Sequence, residues 1–343
     1  MKTFKLQCEI LSPLHIGTGK EIEPLDYIIT GERLYRLSFE KFVTDMPESE
    51  RLAFEGVLDK GNLLETRKYV EKHINVERNT LYSTEASPQI KNLYNTKKGD
   101  IQNQLLICPF IRTEGDYAPI IPGSSIKGAM RTAVISKLAA DSGLPKARDF
   151  REEDTFEATV LGYKDGKNDP FRGIKTRDVA LENIAITIRD VKNVARRNGK
   201  LQANDMQIIC EVSHSWISDK SIEFEAELSF DESLFSTGFL SKMLDMDFIK
   251  KSCLHFYMEK MEKEHEKFYK NSELEKYSNQ LLCTSLEKNS FLLRVGRFSG
   301  VESVTLDNYR NPKPPGNKMV WGRSRNLAEG KYPMGWVKAT ICM

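Results

Sequence analysis

The chain has 343 residues, 40% of them hydrophobic, with 51 basic against 49 acidic side chains and a formal net charge of +2. That length suits two cores of moderate size, and the near-balance of charge excludes a global basic field, so any polyanion binding has to come from local clusters. The absence of a long apolar run argues against a membrane-spanning helix, and the charged start MKTFKLQCEILSPLHIG lacks the apolar block of a secretory signal, which points to the cytoplasm.

Residues 3–11, TFKLQCEIL, alternate and predict a strand, which SPLHIGTG then turns through Pro13, Gly17 and Gly19. Residues 26–39, DYIITGERLYRLSF, read as a hairpin about Gly31 and Glu32. From 40 to 100 the pattern is helical and charged, ending in a polar stretch, and reads as an inserted, partly mobile segment. IPGSSIKGAMRTAVISKL, 121–138, follows as a helix whose Ile126, Met130, Ala133, Val134 and Leu138 face a core. Strand candidates come next in DVALENIAITIR, MQIICEVSHSW and SIEFEAELSF, with a basic loop or hairpin tip at 191–206. Residues 238–289 are a long charged helical region, after which VGRFSG, NPKPPGNK, WGRSRN and YPMGW suit strands joined by Gly-rich loops. The order strand, helix, several strands occurs twice. The expected class is therefore α+β, two units with antiparallel sheets and helical insertions. The first unit spans 1–212 with the insertion at 40–100, and the second spans 213–343 with the charged helical region and the Gly-rich loops.

The stretch at 121–138 begins like a phosphate loop. A nucleotide-hydrolysing loop needs Lys and Ser/Thr directly after the second glycine; here Ala129 and Met130 follow Gly128, which rejects ATP hydrolysis. Two readings remain open. Gly123 with a capping Ser124 or Ser125 leaves free amides and a positive dipole end, and Lys127 and Arg131 share one helical face, a fit to phosphate. The same pattern also describes an ordinary capped helix with a solvated basic face. His15 could serve as a general base on an RNA 2′-hydroxyl, or sit hydrogen-bonded or stacked, and no partner acid is placed beside it. His265 and Glu266 begin a zinc-protease motif that Tyr269 breaks, and six scattered cysteines with no C-x-x-C pair argue against structural zinc and a disulfide framework. No metal or cofactor is expected. Lys175 and Arg177 fall on one face of a strand, and Arg196 and Arg197 mark a basic tip; each suits a phosphate backbone or plain solvation. Arg297, Arg323 and Arg325 lie among glycines and aromatics, residue types that approach, pair with and stack on RNA, or simply build loops.

Four stretches, ILSPLHIGTG, IPGSSIKGAMRTAV, DPFRGIKTRDVAL, and VGRFSG with WGRSRN and YPMGW, resemble the signatures of the RAMP proteins of CRISPR systems, and among them the fifth-subunit family of the type III-A Csm effector complex. The resemblance runs from near the start of the chain to its end. It implies two ferredoxin-like, RRM-like units. It also implies a non-catalytic job: capping the crRNA 3′ end beside the repeating backbone subunit and the small helical subunit, with trimming nucleases in maturation. Carried across, Gly123, Ser124, Ser125, Lys127 and Arg131 touch crRNA phosphates, Gly17 and Gly19 pack close to the same strand with His15 counted among the RNA-binding residues, and the loops bearing Arg297, Arg323 and Arg325 shape the end of the groove or support the second unit. The alternatives are a metal-independent endoribonuclease that cuts crRNA precursor with His15 as base, and a repeating backbone subunit present in several copies.

Overall fold

The structure is a computed structural model that describes all residues except 101, 103–104, 144–149, 182–183, 185, 214–220, 307–322 and 343. The chain opens with β1 (Lys2–Ile10) and the hairpin β2 (Tyr27–Thr30) and β3 (Arg33–Leu37). Helices α1 (Phe39–Asp45), α2 (Glu48–Leu58), α3 (Leu63–His73) and α4 (Val76–Asn79) follow, then β4 (Thr80–Ala86), α5 (Pro88–Lys97), β5 (Ile107–Cys108), β6 (Ile120–Ile121) and the long helix α6 (Gly123–Ser142). After α7 (Phe150–Leu161) come β7 (Ile174–Thr176), β8 (Val179–Ala180), the hairpin β9 (Ile186–Arg197) and β10 (Lys200–Ala203), then β11 (Ile208–Ser213) and β12 (Ile222–Phe230). The last part holds α8 (Glu232–Ser236), α9 (Met246–Glu264) running into a π-turn at His265–Tyr269, α10 (Glu275–Leu282), β13 (Ser290–Arg294), α11 (Val301–Val304), β14 (Ser324–Ala328) and β15 (Trp336–Ile341).

The fold is α+β. A five-stranded antiparallel sheet has the order β13-β15-β1-β12-β7. Its run β1–α6–β7–β12–α9–β15 places the first strand between the fourth and third, with a helix after the first and third strands, the order of a split βαβ unit. Alternation sets its faces: Leu6, Cys8 and Ile10 of β1 and Phe224, Ala226 and Leu228 of β12 point inward. There they meet Ile126, Met130, Ala133 and Val134 of α6 and Ile249, Cys253 and Phe256 of α9. The Tyr257 hydroxyl donates to the Ala129 carbonyl at 3.0 Å and joins the two helices. The second sheet has the order β2-β3-β4-β9-β11-β5, with β10 and β14 also on β9. It is mixed, because β4 pairs with β9 and β5 with β11 in parallel, so the expectation of antiparallel sheets throughout is corrected here. Parallel neighbours need a long crossover, and the helices between β4 and β9 supply it.

Each sheet draws strands from both sides of residue 212: β1 pairs with β12 and β15, and β14 with β9. The 40–100 segment is mostly helical as expected, with Ser38, Asn62 and Ser87 capping α1, α3 and α5, but it also carries β4, which pairs with β3. Among the described residues no helix is long and apolar enough to cross a membrane.

Candidate nucleic-acid interface

Helix α6 begins against the segment that runs from β7 to β8. The backbone amide of Gly123 donates to Asp178 Oδ1 at 2.8 Å. The N-cap is Pro122, and neither serine caps the helix, which corrects that expectation. A carboxylate from the chain itself thus occupies the positive end of the helix and satisfies one of its orphan donors. Gly123 is needed for this packing, since a Cβ there would meet the Thr176 hydroxyl and the Arg177 carbonyl.

The two cations of α6 are engaged internally. Lys127 Nζ donates to the Ile174 carbonyl at 2.7 Å, and half-burial lowers its pKa. Arg131 donates to Asp169 at 2.8 and 3.0 Å, to Glu157 at 3.0 Å and to the Tyr163 hydroxyl at 3.2 Å, with Phe171 beneath its guanidinium. Both side chains staple α6 to the segment around β7: most of the Arg131 guanidinium donors and one of the three Lys127 ammonium donors are used inside the chain.

The neighbouring face of α6 is different. Gly17 and Gly19 from the first turn, Ser124, Ser125, Gly128 and Thr132 from α6, and Gly296, Arg297 and Ser299 from the loop after β13 line one cleft of about 670 Å³. A Cβ on Gly128 would meet nothing, so the middle of this wall stands open to an approaching backbone. Hydroxyls and amides suit phosphate and ribose oxygens, and glycines let them come close.

Below the cleft lies a stack of three groups. His15 is fully buried, and its Nδ1 donates to the Glu211 carbonyl at 2.7 Å. Phe298 stacks on the imidazole with centroids 5.9 Å apart, and the Arg297 guanidinium lies 5.0 Å above the Phe298 ring. Phe298 has a φ of 72°, a rare conformation for a bulky residue, so the stack holds strained backbone in place. The loop is anchored by the Arg297 amide, which donates to the His15 carbonyl at 2.8 Å. Gly296 has φ 84°, and a Cβ there would strike the same carbonyl oxygen. A Cβ on Gly17 would lie 2.8 Å from His15 Nε2. Burial pushes the imidazole down to about 4, despite the Glu211 carbonyl, so it is neutral near pH 7. His15 therefore has no exposed surface in the cleft: one nitrogen is spent on the Glu211 carbonyl and the other lies against Gly17.

Arg297 is exposed, pairs with no carboxylate among the described residues, and places Nη1 3.5 Å from Cys108 Sγ. The other expected arginines differ. Arg325 is buried, bonded to Glu302 at 3.1 Å and lying 3.3 Å from Glu264. Arg294, which lines the cleft, also pairs with Glu264 and donates to the Met334 carbonyl at 3.0 Å. Burial opposes ionisation of Glu264, but Arg294 and Arg325 together hold its carboxyl below the usual range. Arg325 thus belongs to a buried charge network under the loop. The half-buried Arg196 caps the π-turn, its guanidinium donating to the carbonyls of Phe268 and Lys270 at 2.6 and 2.8 Å. Arg197, at the hairpin tip, and Arg323 are exposed but do not line the cleft. Lys175 and Arg177 are exposed on one side, 3.6 Å from Asp231 and 3.8 Å from Glu227. Trp321, Gly322 and the NPKPPGNK stretch lie outside the described residues.

The open face of the five-stranded sheet is unsuited to RNA. RRM-type readout stacks bases on aromatics, whereas β1 and β12 turn Thr3, Lys5, Gln7, Glu9, Glu223, Glu225, Glu227 and Ser229 outward. Several of these are already paired across strands: Lys5 with Glu225 at 2.8 Å, Gln7 with Glu223 at 2.9 Å, and Glu9 with Lys338 at 2.6 Å.

Sequence reasoning missed Asp178, Glu264, Thr132 and Ser299. Asp178, Thr132 and Ser299 stood within the quoted stretches DPFRGIKTRDVAL, IPGSSIKGAMRTAV and VGRFSG, while nothing local marks Glu264.

A fold of this class, with glycine turns converging on the start of its first long helix, fits the RAMP superfamily, whose profile matches residues 7–300; the chain belongs to that superfamily. The more particular likeness is to proteins described as CRISPR system Cms protein Csm5. The one from Methanocaldococcus jannaschii is 30% identical over 149 residues, 42% of this chain and 33% of its own length. The one from Streptococcus thermophilus is 28% identical over 187 residues, 52% of this chain and 51% of its own length. The matched regions thus span about a third and about half of those relatives. Among solved structures, a chain of a Csm–crRNA–target RNA ternary complex of a type III-A CRISPR-Cas system superposes with a TM-score of 0.71 at 21% identity, over 99% of this chain and 100% of that one. The crystal structure of T. onnurineus Csm5 gives 0.61 at 23%, over 96% and 99%. At such identities the structural likeness is one of fold. The resemblance read from the four motifs is borne out.

Proposed function

We propose that the chain is a non-catalytic RNA-binding subunit of a type III-A CRISPR Csm ribonucleoprotein, holding the 3′ part of the crRNA in the cytoplasm and serving its maturation, complex assembly and antiviral defence. The observation that carries this reading is convergence: segments around residues 17, 128 and 297, far apart in the chain, line one cleft of glycines and hydroxyls with an exposed arginine at its rim. Phosphate and ribose contacts of this kind position a strand without reading its sequence. RAMP membership, the likeness to Csm5 proteins and the fold of a chain from a Csm–crRNA–target RNA complex support the assignment.

The five-stranded sheet is taken as one ferredoxin-like unit and the eight-stranded sheet as its elaborated counterpart. The repeating backbone subunit and the small helical subunit are the protein neighbours, and trimming nucleases act on the RNA beyond this chain. The buried, neutral His15 supports a holding role over an endonuclease. Photocrosslinking of the full chain, within the assembled complex, to crRNA carrying 4-thiouridine near its 3′ end tests the reading. Adducts are expected on peptides containing Gly17, Ser125 and Arg297. Adducts confined to the sheet face of β1 and β12, or none at all, would overturn it.

A further inference from the structure

Cys108 and Cys210 face each other as register partners on the parallel strands β5 and β11. Both belong to one small cluster with Val191, Val212 and Met334, against which Phe298 packs. Arg297 Nη1 lies 3.5 Å from Cys108 Sγ, and Glu21 Oε1 lies 4.0 Å away on another side. Cys210 is fully buried, while Cys108 keeps 6% of its surface beside the exposed Arg297. The two thiols are unlike. A hydrogen bond from Cys210, with Arg297 helping, holds Cys108 below the ordinary thiol range against burial and Glu21. The same bond and burial hold Cys210 above it. One sulfur is thus primed as a nucleophile and its neighbour keeps a proton, the asymmetry that reactive thiol pairs use. Cys8 and Cys253, by contrast, are buried thiols that burial makes inert.

We propose that Cys108 and Cys210 form a peroxide-responsive dithiol that closes reversibly to a disulfide directly beneath the loop bearing Arg297. The Cys108 thiolate attacks one oxygen of hydrogen peroxide; the O–O bond breaks and hydroxide leaves, taking up a proton to become water. Cys108 is then a sulfenic acid. Cys210 loses its proton, its sulfur attacks the Cys108 sulfur, the S–O bond breaks, and a second water departs. Two thiols and one peroxide give one disulfide and two waters: sulfur is oxidised and peroxide oxygen is reduced. A small-molecule thiol reverses the step by exchange. Oxidation also removes the anion facing Arg297 and leaves the guanidinium to the cleft, a consequence that rests on the RNA reading above.

The test treats the native full chain, after reduction, with hydrogen peroxide, then blocks free thiols with iodoacetamide and maps peptides by mass. A Cys108–Cys210 linked peptide, lighter by two hydrogens than the reduced pair and lost on dithiothreitol treatment, is expected. Arg297→Ala should slow its formation severalfold, and in Cys210→Ser dimedone should trap Cys108. Absence of the link in native wild-type protein, or its formation only after unfolding, overturns the proposal whatever the variants do. Short single-stranded RNA should bind the oxidised wild type about twofold to fivefold more tightly than the reduced form, the scale of freeing one surface cation. Equal affinity with the link in place overturns the coupling, whereas no binding by either form removes the RNA reading and leaves the dithiol judged by its link.

Discussion

Replacing Arg131 with Ala separates an internal staple from a phosphate clasp. The side chain is 22% exposed, and its main partner Asp169 is 17% exposed. The Arg131–Asp169 contact is charge-assisted and partly buried, a type that contributes roughly 1.5–3 kcal/mol. The bond to Glu157, whose side chain is 52% exposed, adds little. Loss of the stem over Phe171 adds packing cost. Asp169 keeps one donor, the Phe171 amide at 2.8 Å, which softens the loss. The sum is a destabilisation of about 2 kcal/mol, read as a lower urea midpoint at unchanged slope. The double change with Asp169→Ala should cost less than the two single changes added together. RNA affinity, measured by filter binding at two salt concentrations, should keep its salt dependence. An unmoved midpoint together with a shallower salt slope would refute the staple and restore the clasp.

Three further outcomes follow from the same geometry. His15 has a folded pKa of about 4 against an ordinary 6.5, so the unfolded chain binds the extra proton between those values. Stability is present above pH 6.5 and is lost as the pH falls toward 4, by roughly 3 kcal/mol. Urea midpoints from pH 7 to 4 check this, and His15→Asn should flatten that part of the curve. Gly296→Ala places a Cβ on the His15 carbonyl at positive φ and should destabilise by about 2–4 kcal/mol; calorimetry of the purified variant reads it. Arg196→Ala leaves two carbonyls of the π-turn without their donor and should cost about 1–2 kcal/mol, seen as faster amide exchange at residues 268–272.

Local periodicity made much of the fold legible. The alternation of β1 and β12, the glycine of the β2–β3 turn and the apolar stripe of α6 each carry their own signal within a few residues. Pairing partners do not, because register between β1 and β15 depends on residues more than 300 positions apart. β4 was lost inside the charged insertion because LYSTEA lacks a continuous apolar face and gains its stability from β3 and β9. In the site, glycine and serine positions were readable because close approach demands small residues. The fate of the cations was not: Lys127, Arg131, Arg196 and Arg325 look alike in sequence to Arg297, and only tertiary structure decides which carbonyl or carboxylate each one meets.

The most direct test of the cleft is the salt dependence of single-stranded RNA binding by Arg297→Ala beside wild type. Arg297→Ala removes an exposed guanidinium's contacts with the Phe298 ring and Cys108 Sγ and strands no carboxylate among the described residues, so the urea midpoint should fall only slightly, by the roughly 0.5–1 kcal/mol of an exposed cation–π contact. The slope of log K against log salt should fall by about 0.7, the share of one phosphate on a single strand. Identical slope and affinity in the two proteins would contradict the account.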